Sequence, residues 1–226
     1  MTFSLAGRCA RTGMMGCAVT TSSIAVGSRC SYARPGIGAA LTQHRTDPRL
    51  GPLALELLAR GCDAKTALAG VIAVAPHRDW RQIAIIDRCG RTASFTGEHV
   101  DRTKSGEAHG RDCVAIANIV RSVEVPAAMA RSFEADPDRP LAQRLVEALA
   151  AGEAEGGEFK PVASAALLVA HRESFAYADL RVDDHPRPID ELRRLWRAYE
   201  PEADLYVLRA SEPAFAPPPA SSAKSA

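Results

Sequence analysis

Residues 2–21 read TFSLAGRCARTGMMGCAVTT, and this stretch decides the fold class. Phe3, Leu5 and Gly7 alternate with Ser4 and Ala6, the period of a strand over residues 2–9. Ala10-Arg11-Thr12-Gly13 supplies a turn ending in glycine. Residues 14–21 then read as a second strand, so the chain opens with a β-hairpin. Directly behind the initiator methionine stands a threonine, Thr2.

Working outward, Arg34-Pro35-Gly36 breaks the pattern. The small residues of 36–42 suit a strand that allows close backbone approach. Leucines at 53, 55, 57 and 58 predict a helix over 50–60, with Gly61 where a terminating glycine belongs. Asp63 is an N-cap for a second helix over 64–74, and Pro76 lies just beyond it. Strands follow at 81–87 and 92–96, joined by the turn 88–91, and the apolar run 113–120 is a further strand. Helices are predicted over 123–134 and 141–151, a glycine-rich loop over 152–157, strands over 164–171 and 175–182, and a last helix over 188–199 that begins at a proline. From residue 210 the chain is Ser, Ala and Pro, with too few apolar residues to offset the entropy of ordering. Residues 1–209 are therefore expected to form the folded domain and 210–226 a disordered tail.

Helices arrive in pairs between runs of strands, which favours antiparallel sheets with helices outside them. The expected architecture is α+β, a four-layer αββα sandwich of two antiparallel sheets with outer helices.

Composition narrows the function. Lys and Arg number 28 against 27 Asp and Glu, for a net charge of +1, which offers no footprint for nucleic acid. Arg193, Arg194 and Arg197 lie beside Asp190 and Glu191 and read as a solvated helix face. Apolar runs such as 163–170 fall far short of the ~20 residues a bilayer requires, and the N-terminus lacks an apolar leader. A cytoplasmic location, with no membrane partner, is the default expectation. The six cysteines, Cys9, Cys17, Cys30, Cys62, Cys89 and Cys113, show no CxxC spacing and read as small buried hydrophobes. Neither a metal nor a cofactor is expected. Asp183-Asp184-His185 has the residue types of a metal cluster, but neighbours on a strand point to opposite faces, so the block reads as a turn. Asp87 reads as a turn former.

Several blocks together resemble a known family. They are Thr2-Phe3-Ser4-Leu5-Ala6 with the Gly13 turn, Ala25-Val26-Gly27, Ala33-Arg34-Pro35-Gly36-Ile37-Gly38-Ala39, Thr42-Gln43, and Gly51-Pro52 with its Leu-rich helix. Phe95-Thr96-Gly97, Asn118 and Leu180-Arg181-Val182-Asp183-Asp184-His185-Pro186 complete the set. Over roughly residues 2 to 200 the chain resembles the bacterial DUF1028 family, which is grouped with the N-terminal-nucleophile hydrolases. The resemblance implies the αββα fold and amide-bond hydrolysis, without naming a substrate. Two departures from the family pattern, Phe159-Lys160-Pro161-Val162-Ala163 and His44, bear on a substrate pocket by altering or abolishing it.

Removal of Met1 would leave Thr2 with a free α-amine, whose ordinary pKa is about 8. One residue would then hold both a hydroxyl nucleophile and a base. The alternative for Thr2 is an exposed chain end with no chemistry. Ser22 and Ser23 end the second strand and either orient that amine or are ordinary strand-end polarity. Asn118, in an apolar run, is an oxyanion donor or a structural hydrogen bonder. Thr42, Gln43 and His44 close the third strand and are candidate substrate contacts. Arg34 binds a substrate carboxylate or makes a surface ion pair. The expected partner is a small-molecule or peptide-like amide, and the fold class implies a homo-oligomer. A catalytically silent binding or assembly subunit of the same fold is the competing reading. An internal serine or cysteine nucleophile is disfavoured by the lack of a G-x-S-x-G elbow.

Overall fold

The computed structural model describes residues 1–217. Ten strands form two sheets. The larger contains β1 (Thr2–Arg8), β2 (Met15–Thr21), β7 (Ser105–Gly110), β8 (Cys113–Asn118), β9 (Ser164–Ala170) and β10 (Ala176–Val182), in the order β10-β9-β2-β1-β8-β7. The smaller holds β3 (Ser31–Arg34), β4 (Gly38–His44), β5 (Arg81–Asp87) and β6 (Thr92–Thr96) in chain order. Every paired strand is antiparallel.

Helices α1 (Leu50–Ala59) and α2 (Ala64–Val74) cover the smaller sheet. Helices α3 (Val125–Glu134), α4 (Leu141–Ala154) and α5 (Pro188–Ser211) cover the larger one. The sheets pack face to face between them, which is the αββα sandwich the element order implied. Cys62 N–H donates to the Leu57 carbonyl and Gly61 N–H to that of Leu58. With Gly61 at φ +94° this is a Schellman stop, at the glycine where the sequence placed one. Asp63 caps α2 by accepting from Thr66 N–H at 2.8 Å.

Strand alternation divides each inner strand between two cores. Phe3 and Leu5 of β1 join the helix-side core with Met129, Phe133, Leu145 and Leu149. Ala6, on the other face, joins Met15, Cys17, Leu41, Ala84, Ile86, Val114 and Ile116 between the sheets. Four cysteines are buried as expected, whereas Cys62 is half-buried and Cys89 lies exposed in the β5–β6 turn.

Two strands escape the sequence reading, β3 and β7, and both are sheet edges. β7 reads SGEAHG, poor in strand formers, and it exists because β8 supplies its hydrogen bonds. The last helix also runs beyond residue 199, through Pro201 to Ser211. An internal proline costs a helix roughly 3 kcal/mol. Side-chain contacts hold the far half in place. Ala203 is buried, Tyr199 and Tyr206 rings lie 5.4 Å apart, and Tyr177 Oη donates to Asp204 at 3.0 Å. Residues 213–215 form a 3-10 turn, and the remainder of the tail, from 218, lies outside the described residues.

Candidate functional site

Thr2 opens β1, a central strand of the larger sheet, and lies across from Asn118 of β8 in the register. Its side chain shares a face with Ser4 and Ala6, the face between the sheets. The apolar filling of that interior changes toward this end. Ser4 Oγ donates to Gln43 Oε1 at 2.7 Å, and Gln43 Nε2 donates to Gln82 Oε1 at 2.7 Å and to the Thr2 carbonyl at 3.5 Å. Asn118 Nδ2 reaches the same Gln82 oxygen at 3.1 Å, and Gln82 Nε2 donates to the Ala117 carbonyl at 3.0 Å. Ser4, Gln43, Gln82 and Asn118 are fully buried. Asn118 Oδ1 is buried too, with no partner among the described residues. An orphaned acceptor of this kind costs about 1–3 kcal/mol, so the ladder ends on a group poised to accept a hydrogen bond at the level of Thr2.

At the Thr2 hydroxyl, Oγ1 donates to the Met1 carbonyl and lies 3.3 Å from Thr21 Oγ1. Thr21 Oγ1 donates to the same carbonyl at 2.5 Å. The carbonyl of the Met1–Thr2 bond is therefore held by two hydroxyls. Glu158, on the segment after α4, is 5% exposed. Its Oε2 accepts from Ser22 N–H at 2.9 Å and its Oε1 has no partner among the described residues. Burial pushes the Glu158 carboxyl up to about 7, against the Ser22 hydrogen bond and the positive Met1 amine, which favour the charge. Burial likewise lowers the Met1 amine, which Glu158 and Cys30 oppose. Burial raises the Cys30 thiol. The amine is lowered and the carboxyl raised, so burial draws their titrations toward one another.

The structure brings Thr2, Gln43 and Asn118 together and puts Thr21 and Glu158 beside them. Sequence reasoning missed both Thr21 and Glu158. Thr21 was available as the strand's last residue, with the parity of Cys17 and Val19. Glu158 follows a glycine-rich loop, and nothing in its neighbourhood marked it. Ser22 reaches Glu158 through its backbone N–H, whereas the Ser23 carbonyl accepts from Ser164 Oγ at 2.6 Å. The hydroxyl beside Thr2 is Thr21's.

Thr42 is displaced from the expected site. It neighbours Gln43 on β4 and so faces the α1 side, where Ala40 also points. Arg34 is separated as well. It pairs in register with Gly38, at the far end of β4, roughly 17 Å from Gln43 at strand spacing. Exposed, and 3.9 Å from Glu56, it makes the surface ion pair. His44 stands at the rim with φ +70°, its Nδ1 2.9 Å from the Trp80 carbonyl and its ring stacked 6.5 Å from Trp80. Burial lowers its pKa, the Trp80 carbonyl opposes this, and the Met1 amine adds to the lowering.

Among the described residues no group of three His, Cys, Asp or Glu side chains could hold a metal ion, and no helix is long and apolar enough to cross a membrane.

The fold and site thus define an αββα sandwich with a threonine at the start of an inner strand, at the polar end of the inter-sheet space. The family profile of DUF1028, described as a family of unknown function, matches residues 2–192, and the chain belongs to that family. Protein SPO2555 from Silicibacter pomeroyi, a DUF1028 crystal structure, is similar at 30% identity with a TM-score of 0.80, over 88% of this chain and 88% of that one. Anbu (ancestral beta-subunit) from Yersinia bercovieri is 13% identical with a TM-score of 0.38, over 91% of this chain and 96% of that one. An Anbu mutant from Hyphomicrobium sp. strain MC1 is 13% identical at a TM-score of 0.40, over 90% and 96%. No curated protein matches the chain.

Proposed function

We propose that this protein is an N-terminal-nucleophile amide hydrolase of the cytoplasm, in which Thr2, freed of Met1, attacks a small-molecule or peptide-like amide. The supporting observation is the placement of Thr2. Its hydroxyl lies against an amide carbonyl, that of Met1, which Thr21 also holds, and a buried carboxyl stands near the amine beyond. Loss of Met1 would free the Thr2 amine as base for the Thr2 hydroxyl. The hydroxyl would add to the substrate carbonyl, and collapse would expel the amine and leave an ester on Thr2. Water would then cleave the ester to release the acid and restore the hydroxyl. In this reading Thr21 hydrogen-bonds the reacting oxygens, Asn118 Oδ1 accepts from the Thr2 amine, and His44 lines the mouth.

The competing reading is a catalytically silent binding or assembly subunit. It is favoured by the same grip on the Met1 carbonyl, which engages the Thr2 hydroxyl while Met1 stays. Intact-mass measurement separates the two, since full retention of Met1 removes the base and ends the catalytic reading. With Met1 absent, a panel of small amides should reveal turnover that falls to background in Thr2→Ala while the fold persists. Equal turnover in that variant would remove Thr2 from the mechanism. A homo-oligomer belongs to the same proposal, and a monomer mass by light scattering would contradict it.

A further inference from the structure

At the end of β1 opposite Thr2, roughly 20 Å away at strand spacing, a cleft of about 500 Å³ lies between the β1–β2 turn, the β7–β8 turn and the α3–α4 connection. Four guanidinium groups line it, those of Arg8, Arg11, Arg111 and Arg144. Arg8 is neutralised by Asp112 at 2.7 Å, and Arg11 Nη2 donates to the Asp138 carbonyl at 3.2 Å. Arg111 is exposed at the rim, where its backbone N–H, rather than its side chain, donates to Glu134.

Arg144 differs from these. It projects from α4 and is 6% exposed. The guanidinium lies 3.8 Å over the Phe133 ring, and Nε donates to the Phe133 carbonyl at 2.9 Å. Among the described residues no carboxylate lies within 4.0 Å of it. Burial lowers its pKa, and Asp112 and Asp136, which oppose that, stand too far away to pair. A cation largely shielded from water, with no carboxylate beside it, is costly, and a ligand that supplies the charge through the cleft offsets that cost.

We infer that this cleft is an anion site, in which Arg144 from the wall and Arg111 from the rim bind the oxyanion group, phosphate or carboxylate, of a small ligand. The planar guanidinium fork matches either group through two parallel hydrogen bonds. Glu134 and Asp138 at the edge leave only a small positive excess, which matches a small anion better than an extended polyanion such as nucleic acid. The site does not depend on the chemistry at Thr2, and its readout is binding rather than turnover.

Titration calorimetry of the full chain at constant ionic strength tests this, with inorganic phosphate in one arm, citrate in a second and chloride as the control. Saturable binding of phosphate or citrate is expected, and the tighter of the two identifies the ligand chemistry. Binding should weaken tenfold or more in Arg144→Gln, which keeps a donor for the Phe133 carbonyl, and also in Arg111→Gln. Because Arg111 is exposed, its variant decides the matter if Arg144→Gln does not fold. Lack of saturable binding by the native chain, or unchanged binding in the folded variants, overturns the inference.

Discussion

The two ends of the space between the sheets are built to opposite rules. At one end Ala6, Leu41, Ile86, Val114 and Ile116 close an apolar core. At the other, on the same faces of the same strands, stand Ser4, Gln43, Gln82 and Asn118. β1 passes from Thr2 and Ser4 to Ala6, β8 from Val114 and Ile116 to Asn118, and β4 from Ala39 and Leu41 to Gln43. A domain built for stability alone would continue the apolar filling. Each buried hydrogen bond nets only about 1 kcal/mol, and each unpaired polar atom costs more than that. The polar end gives up stability to hold oriented donors and acceptors next to Thr2, and the proposed function rests on that asymmetry.

The contrast can be broken by experiment. The largest effect belongs to the apolar end. Leu41→Ala should cost about 2–5 kcal/mol in urea unfolding, through lost burial and a residual cavity, and leave any Thr2-dependent turnover of the folded fraction intact. A cost under about 1 kcal/mol would mean that this end is loosely filled. Next comes Gln82→Leu, which keeps the volume but removes the acceptor shared by Gln43 and Asn118. It should destabilise by about 1–3 kcal/mol and impair the site as well, whereas unchanged stability would dismiss the ladder as a structural device.

The smallest effect is a pH slope. In the Met1-bearing chain the Glu158 carboxyl titrates near 7 in the fold against 4.5 for the free group. Between those values the native state keeps a proton that the unfolded chain has lost. The corresponding stability is fully present below about pH 4.5 and is lost as pH rises through 7. Glu158→Gln should remove this slope, so that the variant gains stability on the native chain as pH rises from 5 to 8. Parallel pH profiles for the two proteins would show that Glu158 is not held protonated by burial.

Much of this architecture is legible in the sequence. The opening hairpin, the strands 81–87 and 92–96 and the helix 64–74 carry their periodicity and stop signals locally, and the structure places them there. The edge strands do not. SGEAHG has no apolar stripe to read, and only β8 makes it a strand. Pro201 is a helix-ending signal overridden by the contacts of Ala203, Tyr206 and Asp204 with the rest of the domain. In the site, Thr2, Gln43 and Asn118 were readable as polar residues embedded in apolar strands. Thr42 and Arg34 were grouped with them by proximity in sequence, yet alternation turns one to the opposite face and strand length carries the other to the opposite end.

By itself the sequence determined most of the strands and helices, though not the edge strands β3 and β7, that the elements layer as αββα, and that a threonine heads an inner strand. Those properties follow from spacing along the chain, where side chains of like character recur at the period of their element. Only the tertiary structure decided that Thr21 rather than Ser22 or Ser23 offers the hydroxyl, that Glu158 stands near the amine, and that Arg144 meets no carboxylate among the described residues. Those depend on which distant segments meet and on how much water each group loses when they do.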